Sequence, residues 1–294
     1  MSGRAVAWVW LALLLPAGAD CASAITEADD AGHVITLEAP AKRIVSLAPN
    51  ITEILFHIGA GGLILGADEY SNYPEAAKAI PRINNHASVN YEAVLALEPE
   101  LVLGWQRANG QFPARVRALG LPVFEIEPCV LEDIPALFVR MGRLVGHEQE
   151  ATARAEDFNR RLRTLRSGEQ GKAAVRVFYQ IWDEPLMTLN DRHIVGDVIK
   201  LCGGVNVFGT AAPLVPYVSI EAVLQADPEV IIASGSDEGR PAWMDMWKAW
   251  PAIAAVRRGH VFVIPPDLMQ RHSARILDGA EQLCAFLDKA RQAG

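Results

Sequence analysis

Two segments of the chain, more than a hundred residues apart, have almost the same sequence. Val89 to Leu103 is VNYEAVLALEPELVL, and Val218 to Ile232 is VSIEAVLQADPEVII. In register they share Val, Glu, Ala, Val, Leu, Pro and Glu, and most other positions exchange one aliphatic residue for another. Each segment predicts a short helix with Glu in its first turn, followed by a Pro-initiated buried strand. Because the spacing is too wide for a solenoid or propeller, the repeat predicts two similar lobes.

The N-terminal residues have the features of a secretory signal. Arg4 is followed by the apolar run AVAWVWLALLL and by small residues up to Ala24. This pattern is typical of a signal peptide, so we expect cleavage after Ala24. A lipoprotein signal ending at Cys21 is the alternative, which Asp20 directly before the cysteine disfavours. No later segment reaches ~18 consecutive apolar residues, so we expect a soluble protein exported to the periplasm.

The charge balance argues against nucleic acid as a partner. The chain carries a formal net charge of −8, and this balance survives cleavage because Arg4 and Asp20 leave together. Nucleic-acid-binding proteins typically carry a basic patch or stripe. No basic stripe with interleaved aromatic residues is present in this sequence. We therefore expect a monomer without a nucleic-acid partner.

The expected mature chain keeps three cysteines, Cys129, Cys202 and Cys284. In an oxidising compartment two of them can pair. Cys202 ends the helix-like VGDVIKLCGG, and Cys284 lies in the helical run ARILDGAEQLCAFLDKA. Since both helices belong to the second lobe, we predict a Cys202–Cys284 disulfide and a buried thiol at Cys129. Three free buried cysteines are the alternative.

Strand-like and helix-like segments alternate along the chain. Residues 25–40 are polar and predict irregular structure, and a strand is expected at 43–47. Asn50 with Glu53 predicts a capping box at the start of the next helix. Further elements are predicted at 90–97, 100–105, 111–119, 122–126 and 131–145. Because the strands are apolar runs without alternation, they indicate parallel sheets covered by helices on both faces.

One segment, EQEATARAEDFNRRLRTLR, contains strong helix formers and neither Gly nor Pro. It predicts a helix long enough to run from one lobe into the next. The expected organisation is a signal peptide at 1–24, an N-terminal lobe at 25–147, a linking helix at 148–172 and a C-terminal lobe at 173–294. The fold class is therefore α/β, with two similar lobes, one long connecting helix and a ligand cleft between the lobes.

Several segments resemble the periplasmic substrate-binding proteins whose two α/β lobes are joined by one long helix. These proteins serve ABC importers of cobalamin, ferric siderophores and haem. The likeness is carried, beside the long helix, by RIVSLAPNITEILFHIG, EYSNYP, VNYEAVLALEPELVLGW, IKLCGGVNVF, VSIEAVLQADPEVII and GHVFVIPPDL. SLAPNITE, EYSNYP, Trp105, the CGG cysteine with its C-terminal partner, and Asp267 with Arg271 are most similar to the cobalamin-binding members.

The resemblance implies a role for the glutamates of the repeat. In such proteins one Glu on each lobe forms a salt bridge to arginines of the permease dimer in the inner membrane, and these residues match Glu92 and Glu221. A helix N-terminus stabilises a carboxylate, and two equivalent carboxylates suit a two-fold partner. The alternative is that each Glu only caps its own helix.

The resemblance also implies a corrinoid ligand between the lobes, where strand-to-helix loops converge. The residues expected to bind it are Pro49, Asn50, Tyr70, Trp105, Trp182, Tyr217, Asp267 and Arg271. Flat aromatic rings offer large apolar contact, and Asp and Arg can hydrogen-bond the amide groups around a corrin. The alternatives are packing for each tryptophan and a helix ion pair for Asp267 with Arg271.

Two positions depart from the cobalamin-binding pattern, which has tryptophans near Asn85-His86 and just before the second repeat, where this chain has PLVPY. Haem or a ferric siderophore is therefore the alternative ligand, and an exported hydrolase is the third hypothesis. No cofactor or resident metal is expected, because the histidines lack metal-ligand spacing. His86, His193 and His272 could reach the cleft, although polar surface positions are expected for them.

Overall fold

A computed structural model describes residues 24–85, 87–234 and 242–292 of the chain. The predicted signal peptide, apart from Ala24, and His86 lie outside the described residues. The first half contains β1 Ile25–Ala28, β2 Val34–Leu37, β3 Ile44–Ser46, α1 Pro49–His57, β4 Ile64–Asp68, β5 Arg82–Asn84, α2 Tyr91–Ala96, β6 Leu101–Trp105, α3 Gln106–Asn109, α4 Phe112–Ala118, β7 Val123–Ile126 and α5 Asp133–Val145.

A long helix and the second half follow. These elements are α6 Glu148–Glu169, β8 Val175–Asp183, β9 Leu186–Thr188, α7 Ile194–Leu201, β10 Gly204–Asn206, α8 Ile220–Ala226, β11 Val230–Ala233, α9 Ala254–Arg257, β12 Val261–Val263, α10 Pro266–Met269 and α11 Ile276–Gln292. Short 3-10 helices lie at Gly61–Leu63, Glu75–Ala79 and Ala242–Ala249. The predicted α/β fold with two lobes is confirmed.

Each lobe is built around a parallel sheet. The N-terminal sheet has the order β5-β4-β3-β6-β7 with all pairs parallel. The C-terminal sheet has the order β10-β8-β11-β12, also parallel, and β9 pairs antiparallel with β8. Strands β3, β7 and β11 are buried at every position, as expected for strands covered on both faces.

The sequence repeat occupies equivalent places in the two sheets. Its strands are β6, which lies between β3 and β7, and β11, which lies between β8 and β12. Its helices are α2 and α8, whose starts are capped by the side chains of Asn90 and Ser219. Glu92 and Glu221 each occupy the second helical position and are exposed. The repeat therefore marks a structural equivalence between the lobes.

Residues 25–40 are not irregular as predicted, because β1 and β2 form an antiparallel hairpin. Alternate residues of β2, Ile35 and Leu37, are buried in the core cluster. Arg140 and Arg143 of α5 bond Ala28 and Glu27 of β1. A short strand pair held by contacts with a distant helix leaves only a weak pattern in its own sequence, which explains the error.

The predicted capping box at Asn50 and Glu53 is also wrong. Helix α1 begins at Pro49, and the residue before it, Ala48, makes no side-chain cap. Proline is favoured at this first position because its missing N–H would have no helical partner there. Asn50 therefore lies inside the first turn, and Glu53 faces partners from the other lobe, described below.

Helix α6 connects the lobes and is packed against both. Phe158 of α6 contacts Phe138 of α5 edge to face, with ring centroids 5.9 Å apart. On the other side, Arg161 pairs with Asp278 and Glu281 of α11 at 2.6 and 2.8 Å. One continuous hydrophobic cluster includes residues of both sheets and of α6. None of the described helices is both long and apolar enough to cross a membrane.

The predicted disulfide is present and joins two helices of the C-terminal lobe. Cys202 follows α7 directly, and its partner Cys284 lies within α11. The bond closes a loop with a sequence separation of 82 residues. A loop of this length restricts the unfolded chain strongly.

Replacing Cys202 and Cys284 together by Ala should lower the free energy of unfolding by about 2–5 kcal/mol, because the unfolded chain regains its loop entropy. Urea unfolding of the oxidised protein measures this change. Cys129→Ala is the matched control and should keep the wild-type midpoint within error. An unchanged midpoint and slope for the double variant would contradict the stabilising role of the disulfide.

Candidate binding site between the lobes

A cavity of about 190 Å³ lies between the two lobes. Its walls are formed by Trp105, Arg107, Ala108, Glu127, Pro128 and Cys129 of the N-terminal lobe and by Arg192, His193, Ile194, Leu214, Val215 and His272 of the C-terminal lobe. Trp105 ends β6, and Glu127 directly follows β7. The N-terminal wall therefore comes from the carboxyl edge of the sheet, where ligands bind in open α/β folds.

Three rings pack together in the wall of this cavity. The ring centroids of Trp105 and His272 are 4.7 Å apart, and those of His193 and His272 are 5.3 Å apart, both edge-on. Nδ1 of His272 lies 3.0 Å from the carbonyl oxygen of Pro128. Since Trp105 and Pro128 belong to the N-terminal lobe and both histidines to the C-terminal lobe, this ring cluster joins the lobes.

Burial keeps both imidazoles uncharged. Desolvation lowers the pKa of His193 to about 4, and the charge of Arg107 adds to the effect. Desolvation lowers the pKa of His272 to about 3, with a further contribution from His193. Burial penalises the charged form of a histidine, so at neutral pH the wall of the cavity contains two neutral rings.

The polar surface positions expected for these histidines are therefore wrong. His272 is only 3% exposed, and His193 is partly buried. The reason is tertiary, because the segments before α7 and after α10 fold inward between the lobes. No local pattern in the sequence marks this burial.

A second contact between the lobes centres on the carboxylate of Glu53, which is 4% exposed. Arg271 Nη1 donates to Oε1 at 3.0 Å, and Ser273 Oγ donates to Oε2 at 2.6 Å. Arg275 donates through Nε to Oε2 at 3.0 Å and through Nη2 to Oε1. These four residues, named here the inter-lobe ion cluster, link α1 of one lobe to the segment before α11 of the other.

The predicted ligand residues Asp267 and Arg271 lie at this ion cluster. They form the i, i+4 ion pair that the sequence left as an alternative, with 2.8 Å between Arg271 Nη2 and Asp267 Oδ1. Arg271 also donates to Asn72 Oδ1 at 2.6 Å. Because Arg271 is only 6% exposed, its charge acts first between the lobes. Its role toward a ligand stays a prediction.

Three predicted aromatic residues are solvent-exposed near strand ends. Tyr70, which follows β4, is 46% exposed, Trp182 of β8 is 56% exposed, and Tyr217 is 69% exposed. Trp182 pairs with Met187 of β9, and Met187 forms an isolated bridge to Tyr217. Residues opposite one another in neighbouring strands face the same side. Trp182 and Tyr217 therefore lie on one face of the C-terminal sheet.

The other two predicted contacts are less accessible. Pro49 is partly buried at the first position of α1. Asn50 is fully buried, and neither polar atom of its side chain has a hydrogen-bond partner among the described residues. Both residues follow β3 at the carboxyl edge of the N-terminal sheet. Their contact with a ligand remains a prediction.

Cys129 is half-buried, so the prediction of a buried thiol is wrong. Its loop follows β7 and forms part of the cavity wall, where the side chain stays partly accessible. Burial raises the pKa of the Cys129 thiol, and the negative charge of Glu127 adds to this shift. The side chain is therefore a protonated thiol at neutral pH.

One group of described residues has metal-ligating atoms close together, namely Asp29, His33 and Glu125, within 4.8 Å of one another. The guanidinium of Arg117 lies 2.7 Å from Glu125 Oε1 and 3.6 Å from Asp29 Oδ2. An arginine that already pairs with both carboxylates competes with a cation for them. The group is better explained as an ion pair that attaches the β1–β2 hairpin to β7.

Three residues of the site were not predicted as such: Glu53, His193 and His272. The available signal for Glu53 is a carboxylate inside the mostly apolar segment ITEILFHIG. Its donors follow one another in RHSAR, at positions 271–275. The sequence does not show that these two segments meet.

Comparison with known proteins identifies relatives over most of the chain. The profile of a family described as periplasmic binding protein matches residues 44–268. A vitamin B12-binding protein of Vibrio cholerae serotype O1 is 35% identical over 255 residues, which cover 86% of this chain and 91% of that protein.

Solved structures agree with this assignment. The crystal structure of the periplasmic vitamin B12-binding protein of Vibrio cholerae superposes with a TM-score of 0.80 at 35% identity, covering 85% of this chain and 98% of that chain. A periplasmic heme-binding protein of Roseiflexus gives a TM-score of 0.76 at 23% identity, covering 85% and 99%. The second likeness concerns the fold alone.

Glu53→Gln should lower the free energy of unfolding by about 3 kcal/mol, because two arginines at the lobe interface lose the buried carboxylate that they share and keep only Asp267 as a charged partner. Urea unfolding followed by circular dichroism measures the change. Glu156→Gln, which replaces an exposed carboxylate on α6, is the control and should change stability by less than about 0.5 kcal/mol. Equal midpoints for both variants would show that the ion cluster does not stabilise the lobe interface.

Proposed function

The chain belongs to the periplasmic binding protein family, and from that premise we propose that it captures a corrinoid between its lobes and delivers it to an ABC import permease. The observation that carries the proposal is 35% identity to a vitamin B12-binding protein over 86% of the chain. The cavity between the lobes and the aromatic residues around it agree with this function. The protein acts as a receptor and catalyses no reaction.

The dimensions of the site suggest how a corrinoid would lie. A cavity of about 190 Å³ is smaller than the roughly 300–1,000 Å³ typical of pockets that enclose a drug-sized ligand. The macrocycle would therefore lie outside this cavity, against exposed rings such as Tyr70, Trp182 and Tyr217. A peripheral group would extend into the cavity beside Trp105.

Haem or a ferric siderophore is the second candidate. The observation that favours it is a pair of arginines in the cavity wall, Arg107 and Arg192, because cationic side chains suit the carboxylates of haem. Arg107, however, is already paired with Glu127 at 3.3 Å, and the exposed Arg192 donates to a backbone oxygen. The uncharged histidines in the same wall suit a neutral group better.

A hydrolase would require a nucleophile at the cavity. Cys129 lies there near two histidines, but a catalytic cysteine works as a thiolate with a lowered pKa. The pKa of Cys129 is raised instead. This chemistry argues against the hydrolase hypothesis.

Export to the periplasm is part of the proposal. Disulfides form and persist in oxidising compartments, and Cys202 with Cys284 forms one here. A signal peptide cleaved near Ala24 would direct the chain there, in agreement with the family's extracytoplasmic location.

Delivery would use the two repeated glutamates. Glu92 and Glu221 are exposed at equivalent helix starts on the two lobes. Hydrogen bonds from the backbone N–H of Glu221 itself and then from the hydroxyl of Ser219 hold the pKa of the Glu221 carboxyl below its usual value. This side chain therefore remains charged. Complementary charges orient a docking partner and speed its encounter. Two equivalent carboxylates fit the arginines of a two-fold permease dimer.

Titration calorimetry with cyanocobalamin should give one site per chain with a dissociation constant at or below roughly 1 μM, which corresponds to about −8 kcal/mol. Trp182→Ala and Tyr217→Ala should each weaken binding roughly tenfold, because each removes an aromatic contact surface. Leu95→Ala, an exposed apolar residue on α2, is the control and should bind like wild type. Saturable haem binding, with no heat from cyanocobalamin or dicyanocobinamide, would show that the ligand is haem and not a corrinoid.

The double variant Glu92→Ala/Glu221→Ala should bind cyanocobalamin like wild type, yet support little transport in vesicles containing the permease. Each single variant should show a partial defect, and reversal to Lys should be more severe because like charges then repel. Glu156→Ala is the control. Normal transport by the double variant would show that both glutamates only cap their helices. Loss of ligand binding would show that they belong to the ligand cleft.

A further inference from the structure

The imidazole of His272 has one nitrogen engaged and one without a partner. Nδ1 lies 3.0 Å from the carbonyl oxygen of Pro128, and a carbonyl oxygen can only accept a hydrogen bond. In a neutral ring the proton therefore resides on Nδ1. Nε2 is a bare acceptor, which is buried and has no hydrogen-bond partner among the described residues.

The imidazole of His193 has the opposite arrangement. Its Nδ1 accepts a hydrogen bond from the backbone N–H of Val195 at 3.2 Å, which caps the start of α7. An accepting nitrogen carries no proton, so in the neutral ring the proton resides on Nε2. The backbone thus sets the tautomer of each histidine, and the two rings differ.

The two histidines together place one donor and one buried acceptor in the wall of the cavity. Both rings line it, and their centroids are 5.3 Å apart. A metal ion would need a bare nitrogen from each ring. His193 offers a protonated Nε2 instead, and freeing that nitrogen would disrupt the cap of α7. The pair therefore suits an uncharged ligand group with its own donor and acceptor.

We propose that His193 and His272 form a binding site for a carboxamide group of the transported ligand. The amide N–H donates to Nε2 of His272, and the amide oxygen accepts from the Nε2–H of His193. The inference rests on the proposed function, because corrinoids carry carboxamides around the ring. A haem carboxylate has two acceptor oxygens and no donor, so it leaves His272 without a partner.

The packing of the cavity defines what must move. The ring of Trp105 lies edge-on against His272, 4.7 Å away, and Nε2 of His272 is inaccessible to solvent. An amide reaches this nitrogen only when the side chain of Trp105 shifts. A buried acceptor without a donor is unfavourable, so the ligand supplies the hydrogen bond that the ligand-free cavity lacks.

Nitrogen NMR of protein labelled with ¹⁵N-histidine tests the tautomers and the contact in one experiment. His193→Gln and His272→Gln assign the resonances. Without ligand, the unprotonated nitrogens should be Nε2 of His272 and Nδ1 of His193. Saturation with cyanocobalamin should move the His272 Nε2 resonance toward that of a hydrogen-bonded acceptor and protect the His193 Nε2–H from exchange.

An affinity measurement complements the spectra. His272→Phe keeps a ring in the cavity but removes the acceptor, and it should weaken cyanocobalamin binding roughly fivefold to tenfold. His260→Phe is the matched control, because His260 is also buried but lies at β12, outside the cavity wall. It should leave the affinity unchanged.

The outcomes separate this inference from the proposed function. Cyanocobalamin binding with unchanged histidine resonances would overturn the carboxamide site and leave the corrinoid function intact. The same tautomer on both rings would also overturn it. Failure of cyanocobalamin to bind in calorimetry would overturn the corrinoid function, and the carboxamide site with it. Movement of both resonances together with the affinity loss would support the site.

Discussion

The buried carboxylate of Glu53 is the interaction on which the arrangement of the lobes depends. Three side chains of the C-terminal lobe, Arg271, Ser273 and Arg275, donate to it. Two guanidinium groups and a hydroxyl surround this one desolvated carboxylate. Moving any of them away would leave a buried charged or polar group without its partner, so the two lobes have little freedom to shift at this contact. Together with the packing of α6, this contact holds the C-terminal lobe in place and so helps to shape the cavity.

The same contact limits what Arg271 can do for a ligand. Its guanidinium already serves Glu53, Asn72 and Asp267, so a ligand would compete with three oxygen acceptors. The ring cluster differs from the ion cluster, because Nε2 of His272 is a hydrogen-bond acceptor that has no partner among the described residues. The ion cluster therefore holds the lobes together, and the ring cluster has spare hydrogen-bonding capacity for a bound molecule.

The sequence predicts the features that depend on neighbouring residues or on repetition. The repeat predicts the equivalence of β6 and β11, and apolar runs predict parallel sheets. The disulfide follows from two helices of one lobe, each carrying a cysteine. The hairpin at β1 and β2, and the partners of Glu53 some 220 residues away, depend on tertiary contacts. Asn50 and Glu53 match a local capping pattern, but Pro49 and the other lobe override it.

Helix α6 gives the two repeated glutamates a fixed separation. It packs on α5 through Phe138 and on α11 through Arg161, and the ion cluster joins the lobes as well. In the proposed docking, Glu221 would be confined near the second permease subunit once Glu92 had contacted the first. Its binding then becomes an intramolecular step with a high effective concentration. Two weak surface contacts would thereby act together as one stronger attachment. The fixed separation of the two glutamates that this requires is established when the chain folds.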